Sequence, residues 1–467
     1  MSKGKRTTYD SLEVRTDESF DGNGVSVEER LRRIDYQQWE KRKLIPTDDE
    51  EVRDALRLIK EPDNVQYEDP FSRRERLSEL LFLNKDHMEI FKAHLQQEEL
   101  QKSTSDDEKE EEEFYTPASN DLIEARKFLI NYTNVRSKER LEREIQNTAT
   151  SDVSRIINER RGINTRLKKF ELAGSQITSS RPVSQARLSP NDKFIATANW
   201  NGGIGILDSY SLDVICSADG VHQGKIGGIN WSPDGKMIVS GAEDGLVRLF
   251  IVEQQQIQES SILKGHERRV AGTAFHPSQL YVASASFDMT WRLWDLNTGK
   301  ELLLQEGHGK EVFCVAFQND GSLLCSAGLD HCGIIWDIRS GKSTMILKGH
   351  AKPIYAVDWS PNGYTVATGA GDGTVKIWDL RKSSEEFTIL AHNNVVSSVS
   401  FDKEHGNVLV SGGYDKKVNV FSCDNWIKLN SLEGHTDKVL CSDISKDASF
   451  VISSGWDRSI KLWKIDN

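Results

Sequence analysis

The sequence predicts a mainly β protein: a seven-bladed β-propeller with an α-helical, partly disordered N-terminal arm. Two observations predict this fold. After residue 174, six histidines recur at steps of 42 to 44 residues, and an acid, a hydroxyl and an aromatic accompany each of them. The composition also changes near residue 174, from a charge-dense, glycine-poor segment to one rich in Gly, Ser, Val and Trp. That contrast indicates two differently built parts of the chain.

The repeat unit has a constant internal spacing. The acid follows the histidine after 22 or 23 residues, the hydroxyl stands four residues before the acid, and the aromatic stands six after it. A period of about 40–45 residues with a Gly-His start and a Trp-Asp end is the WD-repeat signature, with four short strands per blade. The copies begin at His222, His266, His308, His350, His392 and His435.

A seventh, degenerate copy precedes these six. Thr197, Asn201 and Leu207 take the hydroxyl, acid and aromatic positions. The last copy ends at Trp463, only four residues before the C-terminus, so its outer strand is missing. We expect residues 172–177 to supply that strand, so that one blade joins both ends of a propeller spanning 171–467 and no edge strand is left open.

The recurring Ser, His and Asp are the residue types of a catalytic triad, but a structural role is favoured. An enzyme needs one site, whereas this set recurs with the same spacing in most blades. Buried together, the groups can satisfy one another's hydrogen bonds. We therefore expect a structural network, no catalytic residue and no enzyme activity. The members in the three most regular copies are His266, Ser284, Asp288, Trp294, His308, Ser326, Asp330, Trp336, His350, Thr368, Asp372 and Trp378.

Metal and cofactor sites are not indicated. No His/Cys cluster has the spacing of metal ligands, and the sequence suggests no cofactor and no small-molecule substrate. The six cysteines lie in predicted β segments without a Cys-x-x-Cys pair, which is typical of reduced structural thiols. The chain contains no apolar stretch long enough for a transmembrane helix, so no membrane partner is expected.

Two sets of loop residues are candidate binding groups on the propeller. The loop after each histidine offers a cation in six of the seven blades, which would suit a phosphate backbone or an acidic peptide. The alternative is that a lysine is common in this loop of many WD-repeat proteins. The position before the acid offers aromatics, which either form a recognition surface or pack on their own blades. The candidates are Arg181, Lys225, Arg268, Arg269, Lys310, Lys352 and Lys438, together with Trp200, Phe287, Tyr414 and Trp456.

The first 170 residues divide into four segments. Residues 1–43 are a largely disordered or helical lead, 44–85 form two short helices, 86–117 are an acidic linker, and 118–170 are a basic helical segment. The net charge of the chain is −12, yet residues 126–169 hold twelve basic and five acidic residues, a local net of +7. A phosphate-binding helix surface and an ordinary solvated helix both explain this excess. The candidates are Arg73, Arg74, Arg76, Arg126, Lys127, Arg136, Lys138, Arg140 and Arg143, all expected to be exposed.

Several stretches resemble one known family. Residues 44–53 (LIPTDDEEVR), followed by EDP at 68–70 and RRERL at 73–77, are similar to the splicing-factor motif of the pre-mRNA-processing factor four family. FYTPA at 114–118, FLINY at 128–132 and ELAGSQ at 171–176 also resemble it, as do the blade segments 265–270 (GHERRV), 286–295 (SFDMTWRLWD) and 455–463 (GWDRSIKLW). The resemblance runs from about residue 44 to the C-terminus.

The resemblance implies a function that composition does not. It implies a nuclear, non-catalytic WD-repeat subunit of the U4/U6 small nuclear ribonucleoprotein (snRNP) and of the U4/U6.U5 tri-snRNP. The implied partners are a pre-mRNA-processing factor three-like subunit, other tri-snRNP proteins and U4/U6 small nuclear RNA. The alternative is an adaptor of another nuclear complex, such as a ubiquitin ligase or a chromatin reader.

Overall fold

The computed structural model describes residues 49–59, 61–62, 70–83, 87, 91, 118–150, 153–253, 256–382 and 384–465. The chain divides into two compact units, residues 1–117 and 118–467. The expected disorder of residues 1–43 lies outside the described residues. So does the expected acidic linker at 86–117, apart from His87 and Phe91.

The first unit contains two helices, α1 (Asp49–Leu58) and α2 (Pro70–Leu83), close to the two that the sequence predicts. Spacings of three and four residues put Leu56 on one face of α1 and Leu77 on one face of α2, and both are fully buried in a shared apolar cluster. The expected exposure of Arg73 is wrong, because only 3% of this residue is exposed. Arg73 stands four residues before Leu77, so the helix turns it to the same buried face.

The second unit combines two helices with seven four-stranded antiparallel sheets in the described part of the chain. The helices are α3 (Asn120–Thr150) and α4 (Val153–Leu167). Neither they nor the other described helices have the length and apolar character needed to cross a membrane. Each sheet is one blade of the propeller, so the predicted fold class is confirmed.

The strands of each blade follow one another from the centre of the ring (strand a) to its rim (strand d). Blade 1 is β2 (Val183–Leu188), β3 (Phe194–Asn199), β4 (Ile204–Asp208) and β5 (Val214–Ala218). Blade 2 is β6 (Ile226–Trp231), β7 (Met237–Ala242), β8 (Val247–Glu253) and β9 (Gln256–Leu263). Blade 3 is β10 (Val270–Phe275), β11 (Tyr281–Ser286), β12 (Trp291–Asp295) and β13 (Glu301–Gln305). Blade 4 is β14 (Val312–Phe317), β15 (Leu323–Gly328), β16 (Cys332–Asp337) and β17 (Lys342–Lys348).

The remaining blades complete the ring. Blade 5 is β18 (Ile354–Trp359), β19 (Thr365–Ala370), β20 (Thr374–Asp379) and β21 (Ser384–Leu390). Blade 6 is β22 (Val396–Phe401), β23 (Val408–Gly413), β24 (Lys417–Ser422) and β25 (Lys428–Glu433). Blade 7 is β26 (Val439–Ile444), β27 (Phe450–Gly455) and β28 (Ser459–Lys464), with β1 (Glu171–Ile177) as its outer strand.

The ring closes as the sequence predicts. β1 pairs with β28 in antiparallel register, from Glu171 opposite Lys464 to Ile177 opposite Ser459. Blade 7 therefore combines three strands from the end of the propeller with one strand from almost 300 residues earlier in the chain. This outer strand covers the edge that β28 would otherwise expose.

The core lies between neighbouring blades. Every residue of β10 and β11 is buried, whereas the outer strands alternate between exposed and partly buried positions. Glycine is required where the backbones of blades 2 and 3 approach most closely. A Cβ atom added at Gly228 would lie 2.9 Å from the Cα atom of Gly272, so a larger residue would push the blades apart.

The alternation of antiparallel strands gives the propeller two different faces. One face, which we call the His face, holds the loops from strand d to the next strand a, with the six histidines, and the b–c turns with their acids. The opposite face, which we call the helix face, holds the a–b loops and c–d turns, and α3 and α4 pack there. The compact unit therefore begins at residue 118, although the composition changes near residue 174.

Candidate interaction surfaces

The predicted network of His, hydroxyl, Asp and Trp forms in the blades. In blade 3, His266 Nδ1 lies 2.7 Å from Asp288 Oδ2, and His266 Nε2 lies 2.7 Å from Ser284 Oγ. Trp294 Nε1 donates to the same hydroxyl oxygen at 2.8 Å. Blades 4, 5 and 7 repeat the whole set, whereas blades 2 and 6 have Phe250 and Phe421 in place of the indole.

With His266 neutral, these contacts are all satisfied by one arrangement of the protons on the imidazole and the hydroxyl. His266 donates from Nδ1 to the carboxylate, and the Ser284 hydroxyl accepts from the indole and donates to Nε2. Partial burial opposes ionisation of Asp288, but hydrogen bonds from His266 and Thr290 outweigh it and hold its pKa well below the usual range. Ser284 is fully buried. Its hydroxyl is closed off from solvent and bonded to both neighbours, which is the setting expected of a structural hydrogen-bond network.

Removing the central hydroxyl should therefore destabilise the propeller. Ser284→Ala leaves the Trp294 N–H and His266 Nε2 buried without partners, and we expect a loss of about 1–3 kcal/mol in the free energy of unfolding. Denaturant unfolding of the full chain measures this loss. The matched control is Ser343→Ala on the exposed outer strand of blade 4, for which we expect a change within about 0.5 kcal/mol. Equal stability of the two variants would contradict the network's role.

The aromatic and cationic candidates meet on the His face where blades 6, 7, 1 and 2 adjoin. The Trp200 and Trp456 rings make an edge-to-face contact with centroids 5.2 Å apart. Lys225 Nζ lies 5.0 Å from the Trp200 ring centroid, and Lys438 Nζ lies 4.9 Å from that of Trp456 and 5.1 Å from that of Tyr414. We call these five residues the seam cluster.

The seam cluster is accessible and positively charged. Lys225 and Trp456 are exposed, and the other three residues are partly exposed. The ammonium groups cover faces of the indole rings, a favourable cation–π geometry. Because those ring faces are occupied, the groups most available to a partner are the ammonium ions and the indole edges, which suits carboxylates beside an apolar side chain.

The other His-face candidates are spread around the ring. Arg181, Arg268, Lys310 and Lys352 are exposed. Arg269 differs, because its guanidinium lies 5.5 Å from the Phe287 ring centroid and burial lowers its pKa. Phe287 itself packs 6.2 Å from the Phe313 ring and is only partly exposed. The structure thus brings three of the four aromatics together at the seam cluster and leaves Phe287 apart.

The sequence predicted that the basic residues of α3 are all exposed. The structure shows that some of them face the propeller instead. Arg140 is largely covered by the helix face, where its Nε donates to Asp320 at 2.9 Å and its Nη1 donates to the Asn362 carbonyl at 2.9 Å. Arg126 lies against Gly341 of a c–d turn, and Arg136 donates to the Tyr132 hydroxyl at 2.6 Å. The helical repeat turns these three toward the propeller, together with Leu122, Leu129 and Thr133.

The remaining basic candidates of α3 lie on its outer side. Lys127, Lys138 and Arg143 are exposed, and Lys138 is near Glu142 at 3.8 Å. In the first unit, Arg74 and Arg76 are partly exposed, and Arg76 donates to the Pro62 carbonyl at 2.9 Å. The predicted basic arm is thus divided among outer, partly covered and propeller-facing positions.

Four cations at and just after the C-terminal end of α4 were not among the candidates that the sequence suggested. Arg161, Arg166, Lys168 and Lys169 are exposed around its C-terminal end. The available signal was their density, since NERRG at 158–162 and RLKK at 166–169 contribute five of the twelve basic residues in 126–169. A charge sum alone could not assign them, because it does not show which cations lack an acidic neighbour in space.

A central channel of about 400 Å³ runs between the inner strands. Asp443, on the inner strand β26, is fully buried, and burial opposes its ionisation, but Lys403 and Arg187 lower its pKa below the usual range. Burial raises the pKa of neighbouring Asp358 to about 6. The described residues contain no group of three or more His, Cys, Asp or Glu side chains placed to hold a metal ion.

Comparison with known proteins agrees with this architecture. The model of the WD domain, G-beta repeat, matches residues 215–250, 257–295, 299–337, 341–379, 383–422 and 426–464, which leaves the first three strands of the degenerate blade 1 unmatched. The U4/U6 small nuclear ribonucleoprotein PRP4 of Saccharomyces cerevisiae is 52% identical over 427 residues, which are 90% of either chain. A PRP4-like protein of Arabidopsis thaliana is 38% identical over 90% of this chain and 75% of its own. Human Prp4 is 35% identical over 40% of this chain and 35% of its own.

Proposed function

Because this chain belongs to the Prp4 family of U4/U6 small nuclear ribonucleoproteins, we propose that it is a non-catalytic scaffold subunit of the U4/U6 snRNP and the U4/U6.U5 tri-snRNP. The observation that supports this most is the 52% identity to the yeast protein over 90% of both chains. The predicted partners are a pre-mRNA-processing factor three-like subunit, other tri-snRNP proteins and U4/U6 RNA, all in the nucleus.

The geometry supports a scaffold with distinct surfaces. The helix face is engaged by the chain's own α3 and α4, through contacts such as Arg140 with Asp320 and Arg160 with Asp424. The His face has no such cover in the described part of the chain, and the seam cluster lies there. We therefore assign protein docking to the His face, with the seam cluster at its centre.

Depletion tests the scaffold role. A nuclear extract depleted of this chain should lose tri-snRNP assembly and splicing, and purified full-length chain should restore both. Assembly is followed by sedimentation and splicing by product formation. Unimpaired splicing in the depleted extract would contradict the proposal and favour an adaptor in another nuclear complex.

A paired substitution tests the His face. Trp456→Ala with Lys438→Glu removes one indole and reverses one charge of the seam cluster, so we expect a several-fold loss of protein partners that co-purify with the chain. The matched control is Ile346→Ala with Lys342→Glu on the exposed outer strand of blade 4. Quantitative mass spectrometry of the purified particles compares the two. Equal partner recovery from both variants would rule out docking at the seam cluster.

A further inference from the structure

The C-terminal end of α4 presents cations for which the described part of the chain offers no acidic partner. Arg155 and Arg160, earlier in the helix, pair with Glu159 and Asp424. By contrast, the exposed Arg161, Arg166, Lys168 and Lys169 form no ion pair with any residue in the described ranges. Their charge is therefore available to a ligand.

Three of these four cations lie around an open cleft. It has a volume of about 380 Å³ and lies between α4 and Ile465, which follows the last strand of the propeller. Arg161, Arg166 and Lys169 line it. Gly162 forms part of its wall, and a side chain added there would meet nothing within 4 Å, so the cleft has room for a ligand group.

The helix that bears these cations is fixed to the propeller. Leu167 and Phe170 are buried in the core of blades 6 and 7, in a cluster that includes Trp463. Asn430 Nδ2 donates to the carbonyls of Leu167 at 3.1 Å and Phe170 at 3.3 Å, which satisfies the end of the helix. A ligand would therefore meet a preformed set of charges and would not have to order the segment.

The chemistry of the cleft favours a phosphate backbone. Arg161 and Arg166 are five residues apart, which separates them by about 7.5 Å along the helix axis and lets them contact different phosphates of one strand. Of the six described residues that line the cleft, three are cations, none is acidic, and Ile465 is the one with an apolar side chain longer than a methyl group. None of the described residues that line it is an aromatic able to stack an unpaired base, which favours a base-paired helix read through its phosphates.

We propose that Arg161, Arg166, Lys168 and Lys169 at the C-terminal end of α4 bind the phosphate backbone of a double-helical RNA. The choice of RNA rests on the proposed function, whereas the site itself rests on the geometry of α4. The site is distinct from the outer cations of α3, and it lies on the side of the propeller away from the seam cluster. Protein and RNA could thus bind at the same time.

Charge reversal at this cleft provides the test. In the full-length chain, Arg161→Glu, Arg166→Glu and Lys169→Glu are combined, and binding to a fluorescent RNA duplex is measured across a series of salt concentrations. We expect affinity to fall roughly tenfold or more. The slope of log K against log salt should flatten by about 2–3, because each lost phosphate contact contributes about 0.7–0.9.

A matched variant distinguishes loss of the α4 site from a general effect of the lowered net charge. Lys193→Glu, Lys348→Glu and Lys446→Glu change the total charge equally at exposed positions elsewhere on the propeller, and we expect the salt slope to stay unchanged. An equal loss in this control, or an unchanged slope in the α4 variant, would overturn the proposal. The proposal would also be overturned if the α4 variant lost binding to poly-glutamate but kept its binding to RNA. That result would indicate an acidic protein ligand. Failure of the proposed function is a different result, namely no U4 or U6 RNA with the wild-type chain.

Discussion

Trp463→Ala is expected to destabilise the propeller by about 3–5 kcal/mol, the range for truncating a buried aromatic in a core. Trp463 is 1% exposed and stands opposite Leu172 where the two ends of the chain pair. It also packs with Leu167 and Phe170, which hold α4. The truncation opens a cavity at the closure of the ring and removes the N–H bonded to Ser453 at 2.8 Å.

Two other blades provide the control for this substitution. Phe250 and Phe421 occupy the equivalent positions of blades 2 and 6, and each is 1% exposed. Trp463→Phe should therefore keep most of the packing and cost only the hydrogen bond, about 1 kcal/mol. Denaturant unfolding of both full-length variants gives the comparison. If alanine and phenylalanine had the same effect, packing at the closure would not be what stabilises blade 7.

Leu129→Ala is expected to weaken the attachment of α3 to the propeller by about 2–5 kcal/mol. Leu129 is 1% exposed and packs in one cluster with Tyr281, Leu302 and Ile338 of blades 3 and 4. Loss of this packing should raise the opening of α3 far more than that of the blades, because α3 can leave the propeller without breaking the strand pairing within the blades. Hydrogen exchange of the α3 amides measures the change.

The same helix offers a matched position. Leu141 is 50% exposed, so Leu141→Ala should change α3 protection by no more than about 0.5 kcal/mol. If Leu129→Ala left α3 exchange as slow as in the wild type, the helix would not depend on this cluster for its position. That result would contradict the division of the propeller into a helix face and an open His face.

The propeller could be predicted because its information is local and repeated. Six of the seven blades carry a histidine, a hydroxyl and an acid at nearly constant spacing, so the period is visible even in the blade where Asn201 and Leu207 replace the usual residues. Ring closure followed from the same count, since Trp463 ends a repeat with no outer strand and a blade cannot leave that edge open.

The docking of α3 could not be predicted from the same sequence. Arg140 contacts Asp320, 180 residues further along the chain, and no local pattern reveals such a partner. Arginines at helical spacing usually indicate a solvated face, so Arg136 and Arg140 suggested exposure. In the structure Arg140 donates to the Asn362 carbonyl on the helix face, and Arg136 donates to the Tyr132 hydroxyl on its own helix.

The residues of the proposed RNA site could be located only roughly from the sequence. A local net charge of +7 pointed to the part of the chain that contains the proposed site, but the charge sum gives the cations of α3 and α4 equal weight. Only the positions of Glu159 and Asp424 distinguish the neutralised cations from Arg161 and Arg166. Charge density in a sequence therefore locates a candidate region, and spatial pairing selects the residues.

The central claim is that this chain is a subunit of the U4/U6 particle, and its associated RNA tests that most directly. The tagged full-length chain is purified from cells at moderate salt, and the RNA that accompanies it is sequenced. The account predicts strong enrichment of U4 and U6 RNAs together over other small nuclear RNAs. Recovery of the chain with its protein partners but without U4 and U6 RNAs would contradict it.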